Sequence, residues 1–190
     1  MQKASVKFFT CLFEFSLLLW LLVFLFPSHS FAKDTVHEKS ANPVWLGWKT
    51  VGHSTLKWGF WDIYDAHLRT PSGTYYQASD HTVSDMALLI DYRRTISKKR
   101  LLSATNEQWL HLGISREDRM RWIQELGRIW KGVKKGDRLV FVLTETGGRF
   151  YFGNDFLGKT DDLQMARSFI DIWLSENTAY PGLRRELLGQ

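Results

Sequence analysis

Residues Ala87–Ile96 read ALLIDYRRTI and alternate as a strand does, with Leu88, Ile90, Tyr92, Arg94 and Ile96 sharing one face. A guanidinium in an apolar row has two physical outcomes. Either a buried carboxylate neutralises it, or it receives an anion between apolar walls. The stretch Leu56–Leu68 carries the complementary anomaly. It places Leu56, Trp58, Phe60, Asp62, Tyr64, Ala66 and Leu68 on one face, so Asp62 is the lone acid of its row. One reading is therefore an internal Arg94–Asp62 pair, in a protein that works through its surface with a protein partner of unspecified kind. The other is a site for a small apolar anion at Arg94. Arg149, opening the return strand of a later hairpin, is a second candidate cation.

Several other chemistries lack their residues. The only cysteine, Cys11, lies in an N-terminal apolar run, which leaves residues 33–190 without thiol nucleophiles, thiolate metal sites or disulfides. No Gly-rich phosphate loop, other cofactor pattern or G-x-S-x-G elbow occurs. His53, His67, His81 and His111 are far apart and match no metal-ligand spacing, so no metal or cofactor is expected. The net charge of +5 is small and spread out, and argues against a nucleic-acid partner.

The chain opens with Lys3 and Lys7, runs apolar to Phe26, breaks at Pro27 and offers small residues at Ser30 and Ala32. That is the pattern of a secretory signal over residues 1–32. A polar, flexible leader over 33–43 follows, and then one domain over 44–190. The expected location is periplasmic or secreted, with no integral membrane span after cleavage. The alternative is a run retained as an anchor.

Within the domain, Leu56–Leu68 and Ala87–Ile96 read as strands separated by a turn at Pro71-Ser72-Gly73. The period then lengthens to that of a helix over Lys98–Leu112, burying Leu101, Leu102, Thr105, Trp109 and Leu112. Ser115 caps a second helix whose buried stripe is Met120, Ile123, Leu126 and Ile129/Trp130. A hairpin of Leu139–Thr144 with Arg149–Phe152 follows, then a helix over Asp162–Leu174 and a short last helix opened by Pro181. The predicted class is α+β, an antiparallel sheet covered on one side by helices. All tryptophans except Trp20 fall in the domain and read mainly as core.

The wording near the C-terminus goes further. Arg149-Phe150-Tyr151-Phe152-Gly153-Asn154, Phe169-Ile170-Asp171-Ile172-Trp173-Leu174, Thr178, Pro181, Leu183-Arg184 and Leu187-Leu188-Gly189 together resemble the bacterial chalcone isomerase-like family. Gly59-Phe60, Tyr64-Asp65-Ala66, Ala87-Leu88, Tyr92, Arg94 and Gly136-Asp137-Arg138-Leu139 fall where that family has similar words. The resemblance implies an open-faced β-sandwich with a ligand cleft between sheet and helices. It also implies one of three behaviours: closure of chalcones by an intramolecular lyase reaction, fatty-acid binding, or no assigned activity. The isomerases need an arginine before the first strand. Here Val44–Ser54 holds only Lys49, so Tyr64 and Lys49 are the candidate catalytic residues for that reading. Fatty-acid-binding relatives hold a carboxylate with an arginine and a tyrosine, which points to Arg94 with Tyr92, and to Arg149 and Asp62 as further ligand-site candidates. The favoured expectation is an exported, non-catalytic carrier of a small apolar carboxylate such as a fatty acid.

Overall fold

The computed structural model describes residues 43–76 and 84–190. The expected signal peptide and nearly all of the leader fall within residues 1–42, outside the described residues.

Among the described residues six strands form one antiparallel sheet in sequence order: β1 (Lys49–Trp58), β2 (Trp61–Thr70), β3 (Met86–Tyr92), β4 (Arg138–Thr144), β5 (Gly147–Phe152) and β6 (Asp155–Thr160). Between β3 and β4 lie helices α1 (Lys98–His111) and α2 (Arg116–Ile129); α3 (Leu163–Leu174) and α4 (Pro181–Leu187) follow the sheet. The α+β class with helices over an antiparallel sheet is as expected. The strand count is not. The alternating run Leu56–Leu68 is two strands joined by a two-residue turn, where Gly59 takes the left-handed conformation at φ 58°. A tight hairpin preserves apolar alternation on both sides of its turn, so periodicity alone does not reveal it.

The second helix begins at its expected cap, Ser115, and α1 and α3 are capped in the same way. Ser97 and Ser115 accept from the amides of Arg100 and Asp118, and Asp162 accepts from that of Met165. Pro181 is the first residue of α4. The α2 stripe differs from expectation in one register position. Trp122 and Leu126 are buried while Met120 faces solvent. The Trp122 indole N–H donates to Asp162 Oδ2 at 2.9 Å, giving its one polar atom a partner that Met120 would not need.

The core lies between one face of the sheet and the helices. Phe169 of α3 is its centre, with the rings of Phe141, Phe150, Trp130 and Trp173 at 4.7, 5.3, 5.7 and 5.3 Å. The opposite face carries a smaller cluster, in which Trp45 from a short 3-10 turn (Val44–Gly47) covers Ala87, Leu89, Val140 and Val142. Strand β3 is therefore buried on both faces. The α4 backbone packs so closely on β1 that a Cβ at Gly52 would collide with the carbonyl oxygens of Glu186 and Leu187.

Phe169→Ala is expected to lower stability by about 3–5 kcal/mol, because surrounding rings cannot collapse into the space. Gly52→Ala should cost about 1–3 kcal/mol by forcing α4 off the sheet. Urea unfolding measures both, and hydrogen exchange localises the second to α4.

Candidate functional site

The helical layer does not fill the sheet face completely. A cavity of about 150 Å3 remains between the β2–β4 region and helices α1 and α3. Its floor is Tyr64, Ile90, Tyr92 and Leu139, and its roof is Leu101 and Thr105 from α1 with Phe169, Ile172 and Trp173 from α3. Leu56, Ile63, Ile96, Arg100, Gln108 and Tyr180 complete it with exposed or half-buried side chains, so this is the side on which it meets solvent.

Few polar groups reach the cavity, and they are specifically placed. The Trp173 indole N–H donates to the Tyr64 hydroxyl at 2.8 Å, and the Tyr64 and Tyr92 rings meet edge-on at 6.0 Å. Gln108 donates to the Tyr180 hydroxyl at 3.3 Å. The Trp130 indole N–H, buried in the wall, has no hydrogen-bond partner among the described residues. Burial pushes the Tyr64 and Tyr92 phenols far above their ordinary range, so both are neutral donors at physiological pH. Arg100, in the first turn of α1, is the one cation in the lining among the described residues.

The sequence candidates are dispersed by this geometry. Tyr92 is in the floor, but Arg94 is not in the apolar row. Regular pairing of β3 ends at Tyr92, and the chain bends before the Ile96–Val133 bridge. That bend carries the exposed Arg94 onto the Trp61 ring, 3.9 Å from its centroid. A guanidinium is cheaper there, half in water on an aromatic face, than buried without an anion. The Arg94–Asp62 pair does not form. Asp62 lies 3.9 Å from Lys57 and 3.8 Å from Arg93, both exposed. Arg149 pairs in register with Val142, on the face covered by Trp45 and away from the cavity. Lys49 sits opposite Thr70, about 20 Å along β2 from Tyr64, so the two catalytic candidates are not brought together.

Arg100, Gln108 and Tyr180 escaped the sequence reading. The signal was present in α1: Arg100, Ala104 and Gln108 recur every four residues, bordering the buried Leu101–Thr105–Trp109 stripe. Among the described residues no group of His, Cys, Asp and Glu is placed to hold a metal.

The outer face carries a separate polar network. Arg138 grips Asp91 through two hydrogen bonds of 2.6 and 2.7 Å, and His67 Nε2 lies 3.6 Å from the same carboxylate. Partial burial opposes ionisation of Asp65, but hydrogen bonds from Arg93 and Thr55 outweigh it and hold the carboxyl below its usual range.

A six-stranded antiparallel sheet roofed on one face by helices, with an apolar cavity beneath the roof, defines an α+β fold of the chalcone isomerase type. The chain belongs to the chalcone isomerase-like family, whose model matches residues 45–189. It is 23% identical over 143 residues to an uncharacterised protein of Haemophilus influenzae, covering 75% of this chain and 69% of that one. The crystal structure of a fatty-acid binding protein from Arabidopsis thaliana superposes with a TM-score of 0.57 at 11% identity, over 75% of this chain and 87% of the other. The family resemblance and the fold expected from the sequence are thus both found.

The buried phenols give a pH prediction. Their folded pKa values are raised, so the unfolded chain releases protons first, from the ordinary value of about 10 upward. Stability is fully present below that pH and falls as pH rises above it. Tyr92→Phe should flatten this alkaline limb in denaturant titrations at successive pH values.

Proposed function

We propose that this protein is a non-catalytic binder of a small apolar molecule with an oxygen-bearing head group, such as a carboxylate, held in the cavity between sheet and helices. The observation that carries this reading is the cavity itself. Its walls are aliphatic and aromatic, and its few donors are neutral phenols, the Trp130 indole, Gln108 and one guanidinium at the solvent side. A tail would replace no protein hydrogen bond on entering, and a carboxylate would meet Arg100 where water is still within reach. The fold shared with a fatty-acid binding protein is compatible with this but does not carry it. The apolar N-terminal run belongs to the same reading, as the export signal of an extracytoplasmic carrier.

Size refines the ligand class. Pockets for drug-sized ligands occupy about 300–1,000 Å3. At about 150 Å3 this cavity suits a compact apolar group or a short chain, and a longer acid requires α1 to move away from the sheet. Two features weigh against chalcone-type ring closure. Tyr64 is held neutral and hydrogen-bonded to Trp173, and the nearest equivalent of the isomerase cation, Lys49, lies at the far end of the strand.

Displacement of a fluorescent fatty acid by unlabelled acids of graded chain length tests the reading. Short and medium chains are expected to compete best. Arg100→Ala should weaken binding about tenfold, the loss of one charge-assisted hydrogen bond, whereas Arg94→Ala should leave it unchanged. No uptake of any acid at micromolar concentration would sink the proposal, as would bleaching of a chalcone absorbance on mixing.

A further inference from the structure

The β1–β2 hairpin ends in Trp58-Gly59-Phe60-Trp61. In a fold that buries Trp45, Trp109 and Trp122 completely, this tip leaves Trp58 76% and Trp61 56% exposed, with Phe60 wholly in solvent. Single exposed aromatics are ordinary, but three within four residues at one projecting turn form a patch. The intervening Gly59 holds the left-handed turn that presents them together.

The surroundings of the tip are cationic. Arg94 lies on Trp61, and the next segment opens α1 with Lys98, Lys99 and Arg100. The Ile96–Val133 bridge, with two hydrogen bonds of 2.9 Å, fastens that segment to the α2–β4 turn, which adds Lys134 and Lys135. These six side chains are exposed, and none forms an ion pair within the described residues. Two of the acids at this end are engaged. Asp62 lies between Lys57 and Arg93, and Asp137 accepts from the Lys134 amide at 2.7 Å. At the opposite ends of the strands stand Asp85 and Glu145, close enough that Glu145 adds to burial in raising the Asp85 carboxyl. Lys49 and Arg69 stand at that end as well, so what it lacks is the run of six cations around the tip.

We propose that this end of the molecule docks on an anionic lipid bilayer. Trp58, Phe60 and Trp61 would enter the boundary between headgroups and acyl chains, and the cations would rest on the lipid phosphates. An exposed aromatic tip collared by lysines and arginines that form no ion pair among the described residues has the chemistry of interfacial anchoring. A protein partner is the poorer fit, since lysine is depleted from protein–protein interfaces. The orientation is also functional. Leu56 and Ile63, which flank the tip, are part of the cavity's solvent side, so an apolar molecule leaving the bilayer would meet the opening directly. The docking surface itself rests on the aromatics and the charge, and stands if the cavity binds nothing.

Flotation of the full-chain protein with vesicles tests this, comparing phosphatidylcholine alone with phosphatidylcholine plus phosphatidylglycerol. Acyl chains brominated near the headgroup report tryptophan depth. The expected result is binding to the phosphatidylglycerol vesicles that falls with added salt, with quenching that decreases in Trp58→Phe. Phe60→Ser, at a fully exposed position where the fold is indifferent, should reduce binding about tenfold or more. Lys98→Glu with Lys99→Glu should reduce it about fivefold per charge. Equal binding to neutral vesicles, or binding unaffected by Phe60→Ser, would overturn the proposal, the latter by placing attachment at the N-terminal apolar run. Preferential binding of a single-stranded oligonucleotide, or a dimer abolished by Phe60→Ser, would overturn it equally. Fatty-acid displacement measured without vesicles reports on the cavity separately.

Discussion

The fold depends on one ring, that of Phe169. It meets rings from β4, β5, α3 and the residue that ends α2, and so ties the helical layer to the middle of the sheet. Edge-on contacts of this kind are directional, and they fix how far the layer can approach. On one side of Phe169 stand the rings of Phe141, Phe150 and Trp130. On the other, toward Tyr64 and Tyr92, the helices cannot close down without separating these rings, and the cavity is the space that remains. The site is thus a by-product of where the aromatic anchor sits. Its polar groups are those that could be satisfied at the margin: Tyr64 by Trp173, Tyr180 by Gln108, and Arg100 by solvent.

Helices were legible from the residues because their signals are local. A serine or aspartate cap, an apolar stripe and a proline at the first turn lie within one element and need no knowledge of the rest. Strands were legible as apolar alternation but not as separate units, since a two-residue turn conserves the alternation across Gly59. Strand β6 and the part of β1 before Leu56 had no such pattern. Lys49–Trp58 and Asp155–Thr160 are largely half-exposed and rely on their neighbours for pairing.

The site was legible only in part. Tyr64 and Tyr92 are in the cavity, as the sheet face demands, but Arg94 left it as soon as the strand bent. Whether a charged residue continues a strand's alternation or begins a turn depends on the next backbone bridge, here Ile96 with Val133. Those partners are 37 positions apart, and no local pattern encodes the contact. Arg100 had the opposite difficulty. Its helix was evident, yet which edge of the helix borders a gap depends on the rings opposite.

The Asp91–Arg138 pair on the outer face has a different consequence. Strands β3 and β4, MALLIDY and RLVFVLT, are apolar on both faces, so sliding one along the other would expose little that is not already exposed. Hydrophobic burial, which pins the register of most half-buried strands, is nearly silent here. A guanidinium and a carboxylate facing each other in a fork tolerate no such slip, because a two-residue shift would set Asp91 opposite Val140. Partly exposed as it is, the pair adds little to stability. Its contribution is selection: it makes one alignment of two interchangeable apolar strands the correct one.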